Sequence, residues 1–311
     1  MSTAYYSHPD CERHVTPPGH PEQVARLEAI AAALSDPRFD GLARFDAPLG
    51  AEADLLLCHP QRYIDRIKAA VPETRTVALD ADTYMSPGSL RAARRGAGGV
   101  VAAVDGVLAG DVANAFVGCR PPGHHAETET PMGFCLFGNV AIAAKHALER
   151  HGLARVAVVD FDVHHGNGTQ DLLWNEARTL FISSHQMPLW PGTGAPDERG
   201  AHDNVINIPL APGTGGTEMR RAYEGRVFPA LEDFKPELIL ISAGFDAHRA
   251  DPLANLNWST EDFAWLTHQL CDVADACCDG RVVSTLEGGY DLTALGQSVA
   301  AHVAVMMERG G

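Results

Sequence analysis

The stretch Val156-Ala157-Val158-Val159-Asp160-Phe161-Asp162-Val163-His164-His165-Gly166-Asn167-Gly168-Thr169 decides how the rest of the chain is read. Four apolar residues in a row, three of them valine, predict a buried β-strand, and the Gly-Asn-Gly that follows predicts a turn. An extended chain sends alternate side chains to opposite faces, so Asp160, Asp162 and His164 are expected on one side of the strand's end. Two carboxylates and an imidazole gathered there desolvate badly without a cation, whereas a divalent metal turns the same cost into binding. The plain alternative, a strand running out into a polar loop, leaves three convergent metal-type ligands unexplained.

Outward from this stretch, apolar runs alternate with helical patterns. Strands are predicted at 114–117, 179–185, 204–208, 237–244 and 281–285. Helices are predicted over 21–34, 60–67, 218–234, from Ser259 or Thr260 to Cys278, and in an alanine-rich segment capped by Ser86 or Ser89. Arg26, inside the first of these, reads by helical pattern as a solvated charge. Residues 1–20, with Pro9, Pro17, Pro18 and Gly19, read as irregular. Such alternation implies one α/β domain over residues 1–311, a mainly parallel sheet with helices on both faces. The polar clusters His124-His125, Asp162/His164, Asp246 and 287–290 all follow strands. In parallel sheets the ligand site lies beyond the strands' carboxyl ends, so the four are expected to converge on one site.

The chain has 311 residues, 45% hydrophobic and 21% charged, with a formal charge of −16. That balance argues against a nucleic-acid phosphate backbone as partner. Seven cysteines without C-x-x-C spacing read as reduced core residues. No apolar run approaches the roughly 20 residues a bilayer needs, and the first residues lack a secretory pattern, so a cytoplasmic protein with no membrane partner is expected.

Asp162, His164 and Asp246, with a fourth position left to water, form the ligand pattern of a catalytic rather than a structural zinc. Such a metal acidifies water and polarises a carbonyl. Amide hydrolysis also needs a base for water and an acid for the departing amine, roles open to His124 and His125. Asp160 and Asn167 are expected behind the two histidines, the carboxylate raising its partner's basicity and the amide leaving it lower. Tyr290, after Gly288-Gly289, suits an oxyanion donor. Phe134, beside Gly133, and Trp190 suit the walls of an apolar channel, although either aromatic is by default a core residue.

Taken in order, RPPGHHA, GFCLFGN, VDFDVHHGNGTQ, WPGTG, SAGFDAHRADP and LEGGYD resemble the histone deacetylase superfamily, specifically its class II-like bacterial amidohydrolases. The resemblance runs from about Gly19 to the last helical segment. It implies the arginase-deacetylase fold, with a sheet of about eight parallel strands. By motif position it implies zinc ligands at Asp162, His164 and Asp246, a general base and acid at His125 with His124 as electrostatic partner, and a transition-state tyrosine at Tyr290. Asp160 and Asn167 fall behind the histidines, Asn167 being similar to class II. A structural potassium ion is implied at Asp160, Asp162, His164, Ser183 and Ser184. Gly133, Phe134 and Trp190 match tunnel positions, and Arg26 matches an arginine lining an internal cavity, against its surface reading. His248, two after Asp246, is not the carboxylate of a two-manganese arginase, so one catalytic ion is expected, zinc or ferrous iron. Leu253, where polyamine deacetylases tend to carry glutamate, is similar to the lysine-deacylase branch. Ser86 is matched loosely to a residue that accepts a backbone N–H of a peptide. The implied substrate is an acylated lysine in a peptide or protein. The alternatives are an acetylpolyamine or other small acylated amine, and a non-catalytic acyl-binding protein.

Overall fold

The computed structural model, which describes residues 2–311, turns the predicted alternation into an eight-stranded parallel sheet. In chain order β1 (Thr3–Ser7) and β2 (Ala43–Asp46) come first, and β3 (Val77–Ala78) and β4 (Tyr84–Met85) form a separate antiparallel pair. Then follow β5 (Asn114–Val117), β6 (Val156–Asp160), β7 (Thr179–Gln186), β8 (Val205–Leu210), β9 (Leu238–Ala243) and β10 (Val282–Leu286). Their spatial order is β2-β1-β5-β10-β9-β6-β7-β8. The helices are α1 (Ala25–Ala33), α2 (Glu52–Leu55), α3 (Gln61–Ala69), α4 (Ser89–Ala109), α5 (Asn139–Arg150), α6 (Asn167–Leu173), α7 (Gly216–Ala222), α8 (Phe228–Phe234), α9 (Thr260–Cys278) and α10 (Leu292–Gly310).

Every residue of β6 and β9 is buried, which is why these strands read as continuous apolar runs. The two-residue period still sorts them. Val156, Val158, Leu238 and Leu240 face a core shared with Val100 and Val104 of α4 and Val140 of α5. Ala157, Val159, Ile239 and Ile241 face the opposite core, with Phe263 and Leu270 of α9 and Val299 and Met306 of α10. The four polar clusters follow β5, β10, β9 and β6, consecutive in the sheet, so their loops emerge side by side at one edge.

Several local expectations need correction. The segment 1–20 is not irregular throughout: Thr3–Ser7 pairs with both β2 and β5, and Pro9–Arg13 forms a 3-10 turn. Thr3, Tyr5 and Tyr6 favour a pleated surface, a signal masked by the prolines downstream. The first helix starts at Ala25 rather than Pro21. The helix over 218–234 is a run from Gly216 interrupted by a π-helical turn at Tyr223–Val227. Pro229 has no N–H for the carbonyl four residues back, which breaks the regular ladder there. Gly88, not Ser86 or Ser89, precedes α4; the Ser89 hydroxyl accepts from Ser86 N (2.7 Å) and meets His14 Nδ1 (2.6 Å). Ser259 does precede α9, its N–H held by Asp262 Oδ2 at 2.9 Å.

Candidate active site

The chain leaves its extended path as β6 ends, so Asp160, Asp162 and His164 are not aligned along one strand face as the alternation predicted. Two successive turns, each closed by an aspartate, gather them instead. Asp160 Oδ1 accepts from Asp162 N (3.1 Å), and Asp162 Oδ1 accepts from His164 N (2.9 Å). Asp246, just beyond β9, accepts from Val163 N through Oδ1 (2.9 Å), and Asp162 Oδ2 accepts from Gly288 N (2.8 Å). His164 Nδ1 lies 3.1 Å from both Asp162 Oδ1 and Asp246 Oδ2, and all three residues are buried.

This donor set fits a divalent cation. One ligand atom from each of Asp162, His164 and Asp246 lies within 4.8 Å of the others, an N/O set suited to zinc. Two glycines make the room. A Cβ on Gly244 would stand 2.0 Å from Asp162 Oδ2, and one on Gly288 would stand 2.2 Å from Asp246 Oδ2. Burial and the charge of Asp162 push Asp246 up to about 7. Burial opposes a charge on His164, but the two carboxylates outweigh it and raise the imidazole to about 10. These are groups short of positive charge, and a cation answers all three at once. His248 turns its Nδ1 to Ala250 N (3.1 Å) and does not join them.

Beside the triad, the two histidines are separated by what stands behind them. His124 Nδ1 donates to Asp160 Oδ2 (2.9 Å) and its Nε2 lies 3.8 Å from Asp162 Oδ2. Burial works against its proton, yet Asp160, Asp162 and Glu287 hold its pKa well above the ordinary histidine value. His125 Nδ1 donates to Asn167 Oδ1 (2.7 Å), which leaves Nε2 as the bare nitrogen. Burial, with the charges of His124 and His164, holds His125 well below the ordinary value.

Above these groups lies a cavity of about 190 Å³ whose lining includes His125, His164 and Tyr290. The predicted Gly133, Phe134, Trp190 and Leu253 all line it. The Trp190 ring meets His125 edge-on, 4.7 Å between centroids, and Phe134 meets Tyr290 the same way at 5.9 Å. No side chain fits at position 133: φ is +55°, and a Cβ would lie 2.4 Å from His125 Cδ2 and 2.6 Å from Trp190 Cη2. Burial raises the Tyr290 phenol well above its usual value although Arg26 opposes the shift, so it is a proton donor.

A profile of the histone deacetylase domain matches residues 20–306. The chain belongs to the histone deacetylase family. It is 46% identical over 291 residues to an uncharacterized protein of Synechocystis, slr0245, covering 92% of this chain and 93% of that one. It is 40% identical over 303 residues to chloroplastic histone deacetylase 14 of Arabidopsis thaliana, covering 90% of this chain and 71% of that one. With the histone deacetylase-like amidohydrolase of Pseudomonas aeruginosa it shares 43% identity over 249 residues, 78% and 65% of the two chains. The crystal structure of the HDA15 HD domain superposes with a TM-score of 0.94 at 34% identity, covering 99% of this chain and 88% of that one.

Arg26 is fully buried, which overturns the helical-pattern reading of a solvated charge that the resemblance already opposed, while its partners were not singled out in the sequence. It donates through Nη1 to Glu22 Oε1 (3.1 Å), through Nε to Gly289 O (2.7 Å) and through Nη2 to Glu287 O (2.5 Å), and sits 5.0 Å from the Tyr290 ring centroid. Glu22 also takes both guanidinium arms of Arg120. Although burial opposes its charge, Arg120 and His14 hold Glu22 well below the usual carboxylate range. Glu287, lifted by burial to about 7, accepts from Gly123 N (2.7 Å) and His124 N (3.1 Å) and so holds the histidine loop. Asp251 accepts from Tyr290 N (2.6 Å) and Leu253 N (3.0 Å), tying the tyrosine turn to the tunnel rim.

Ser183 pairs in register with Asp160 across β6 and β7, and Ser184 is next to it. Their hydroxyls meet His185 Nδ1 (3.0 Å) and Tyr223 Oη (2.7 Å). Ser86 is buried, donating to Arg13 O (2.9 Å) and accepting from Val15 N (3.0 Å), and its hydroxyl is not open to a peptide. The carboxylate on the tunnel lining is that of Asp82.

Proposed function

We propose that this deacetylase-family chain removes acetyl, or a related short acyl group, from the ε-nitrogen of lysine in a metal-dependent hydrolysis. The observation that carries this reading is the meeting of Asp162, His164, Asp246, His125 and Tyr290 at one narrow tunnel with aromatic walls. A slot lined by Phe134 and Trp190 suits an apolar alkyl chain delivered end-on. Asp162, His164 and Asp246 would hold the ion, zinc or ferrous iron. When bound, it supplies Lewis acidity to the acyl carbonyl and lowers the pKa of water.

The chain's own groups then divide the proton work. His125, held neutral with Nε2 bare, takes a proton from water at that nitrogen and afterwards delivers it to the departing amine. Asn167 fixes the tautomer that makes this transfer possible. His124, kept cationic by Asp160, Asp162 and Glu287, lays a fixed positive charge beside the reacting carbonyl. Tyr290 keeps its proton and donates it as a hydrogen bond to the carbonyl oxygen as negative charge develops there. The buried Arg26 holds the carbonyl groups of Glu287 and Gly289 and so sets the turn that carries Tyr290.

Asp82 on the tunnel lining favours a second reading, an acylated polyamine or other small cationic amine, because its carboxylate can face a second ammonium group. Leu253, also on the lining, offers no charge for that purpose. The two readings separate on kcat/KM for acetyl-, propionyl- and trifluoroacetyl-lysine peptides against acetylated polyamines, each with stripped and zinc-reconstituted protein. Zinc-dependent turnover of the peptides is expected. Turnover of polyamines alone would replace the lysine reading, and no turnover of either class by zinc-loaded protein would reject both.

A further inference from the structure

A second group of metal-type ligands lies outside the tunnel, at the ends of α4 and α5. Asp105 sits near the C-terminus of α4, His146 in the last turns of α5, and His151 at that helix's C-cap. These ends lead toward the starts of β5 and β6, so the group lies across the sheet from the active-site edge. Both imidazoles point Nε2 at one carboxylate oxygen, Asp105 Oδ1, each at 2.6 Å. One ligand atom from each residue lies within 4.8 Å of the others. Residues five apart stand about 140° from one another around an ideal α-helix and do not share a face. Here the helix stops at Arg150, and Leu153 N reaches back to Ala147 O (3.3 Å). The two rings nevertheless stand 5.3 Å apart between centroids, both reaching the Asp105 carboxylate from opposite flanks of the helix end.

We propose that Asp105, His146 and His151 form a second divalent-metal site, for a borderline cation such as Zn²⁺ or Ni²⁺, that staples α4 to α5. Two imidazole nitrogens and one carboxylate oxygen make a three-ligand set for such ions, with the remaining position taken by water. Access is open: the Asp105 and His151 side chains are 51% and 30% exposed, while His146, at 9%, is anchored in the helix packing. The formal charge of −16 draws cations toward the surface. Affinity is set by what stands behind the ligands. His146 Nδ1 is buried with no hydrogen-bond partner, so no acceptor supports its proton when Nε2 is ligated. A missing outer partner of this kind lowers metal affinity by about 10–100-fold. The site therefore loads after the buried triad and responds to excess metal.

The test uses the untagged full-length protein titrated with Zn²⁺, reading bound equivalents by calorimetry and by elemental analysis after desalting, and following Tm. Wild type is expected to take up one weaker equivalent beyond the buried triad's, with Tm rising as that equivalent binds. Asp105→Asn and His151→Ala, both at solvent-exposed positions, are expected to bind one equivalent fewer than wild type. They are also expected to lose the second Tm rise while keeping wild-type deacylation at the first equivalent. A wild type that takes up only one equivalent would overturn the proposal. So would a weaker equivalent that survives in both variants, which would place it on other surface groups.

Discussion

Tyr290 and Asn167 carry the two residue-level expectations that separate chemistry from scaffolding. Replacing Tyr290 by phenylalanine keeps the ring against Phe134 and Arg26 and removes only the hydroxyl. Loss of one oxyanion donor costs about 10²–10³ in rate, so kcat for Tyr290→Phe is expected to fall by that factor with metal content unchanged. A variant with full kcat and wild-type metal would refute the role. Asn167→Asp places a carboxylate on His125 Nδ1, where an amide stands now. The carboxylate favours the imidazolium, and a base must be unprotonated to act. The acidic limb of the kcat/KM profile is therefore expected to move to higher pH, and activity on that limb to fall. The nearby Glu127, which now accepts from Asn167 Nδ2 at 2.8 Å, repels a second carboxylate and so limits the size of that shift.

The element scale shows how distant segments are locked around the site. Glu22, in the segment between β1 and α1, is held by Arg26 and by Arg120 from the loop after β5. Breaking such a buried pair leaves an uncompensated charge and typically costs about 3–5 kcal/mol. Arg120→Met is expected to destabilise by that amount in urea unfolding, and a change under about 1 kcal/mol would mean Glu22 is satisfied without it.

Histidine 302 knits α10 to its neighbours in another way. Nδ1 meets Thr267 Oγ1 of α9 (2.7 Å), and Nε2 meets Ser284 Oγ of β10 (2.9 Å). Burial pushes His302 down to about 3, and burial likewise lowers His59 to about 4. Both are neutral in the fold while their unfolded counterparts take up protons near pH 6.5. The unfolded state therefore binds more protons between those values, and stability falls as pH drops below about 6.5, by up to about 1.4 kcal/mol per pH unit for each histidine. Urea midpoints measured from pH 7 to 4 check the sign; stability that stays level across this range would contradict it.

Over the whole molecule, the buried triad couples metal to fold. Asp162, His164 and Asp246 join the loops after β6 and β9, so an ion there binds the native state and not the unfolded chain. Chelation is expected to abolish turnover and lower Tm together, and zinc is expected to restore both. Loss of activity with an unchanged Tm would place the ion elsewhere.

What could be read in the sequence follows the range of the forces involved. The strand of residues 156–160 and the order of the polar clusters rest on local pattern, since a continuous apolar run announces a strand covered on both faces. Gly133 came to the tunnel through its motif's resemblance to the family, since a lone glycine beside an aromatic is by local pattern no more than a core or turn residue. Isolated polar residues have no such signature. Glu22 lies four positions before Arg26, a spacing that hints at a pair, but nothing local shows that Arg120 joins them from 98 positions away. Asp82, Asp251 and Glu287 likewise acquire their roles only from neighbours on other loops.

The α/β alternation, the parallel sheet and the metal-type residues Asp162, His164 and Asp246 were legible in the chain alone, because periodicity and residue chemistry are local properties. The fold was needed to show that Thr3–Ser7 is a paired strand and that two turns, not an extended face, assemble the triad. It also decided that Arg26 is a buried hub reaching Gly289 across 263 positions. The hub depends on the strand order, which sets the loops after β5 and β10 side by side, and hydrogen bonds and ion pairs between loops leave no period in the chain.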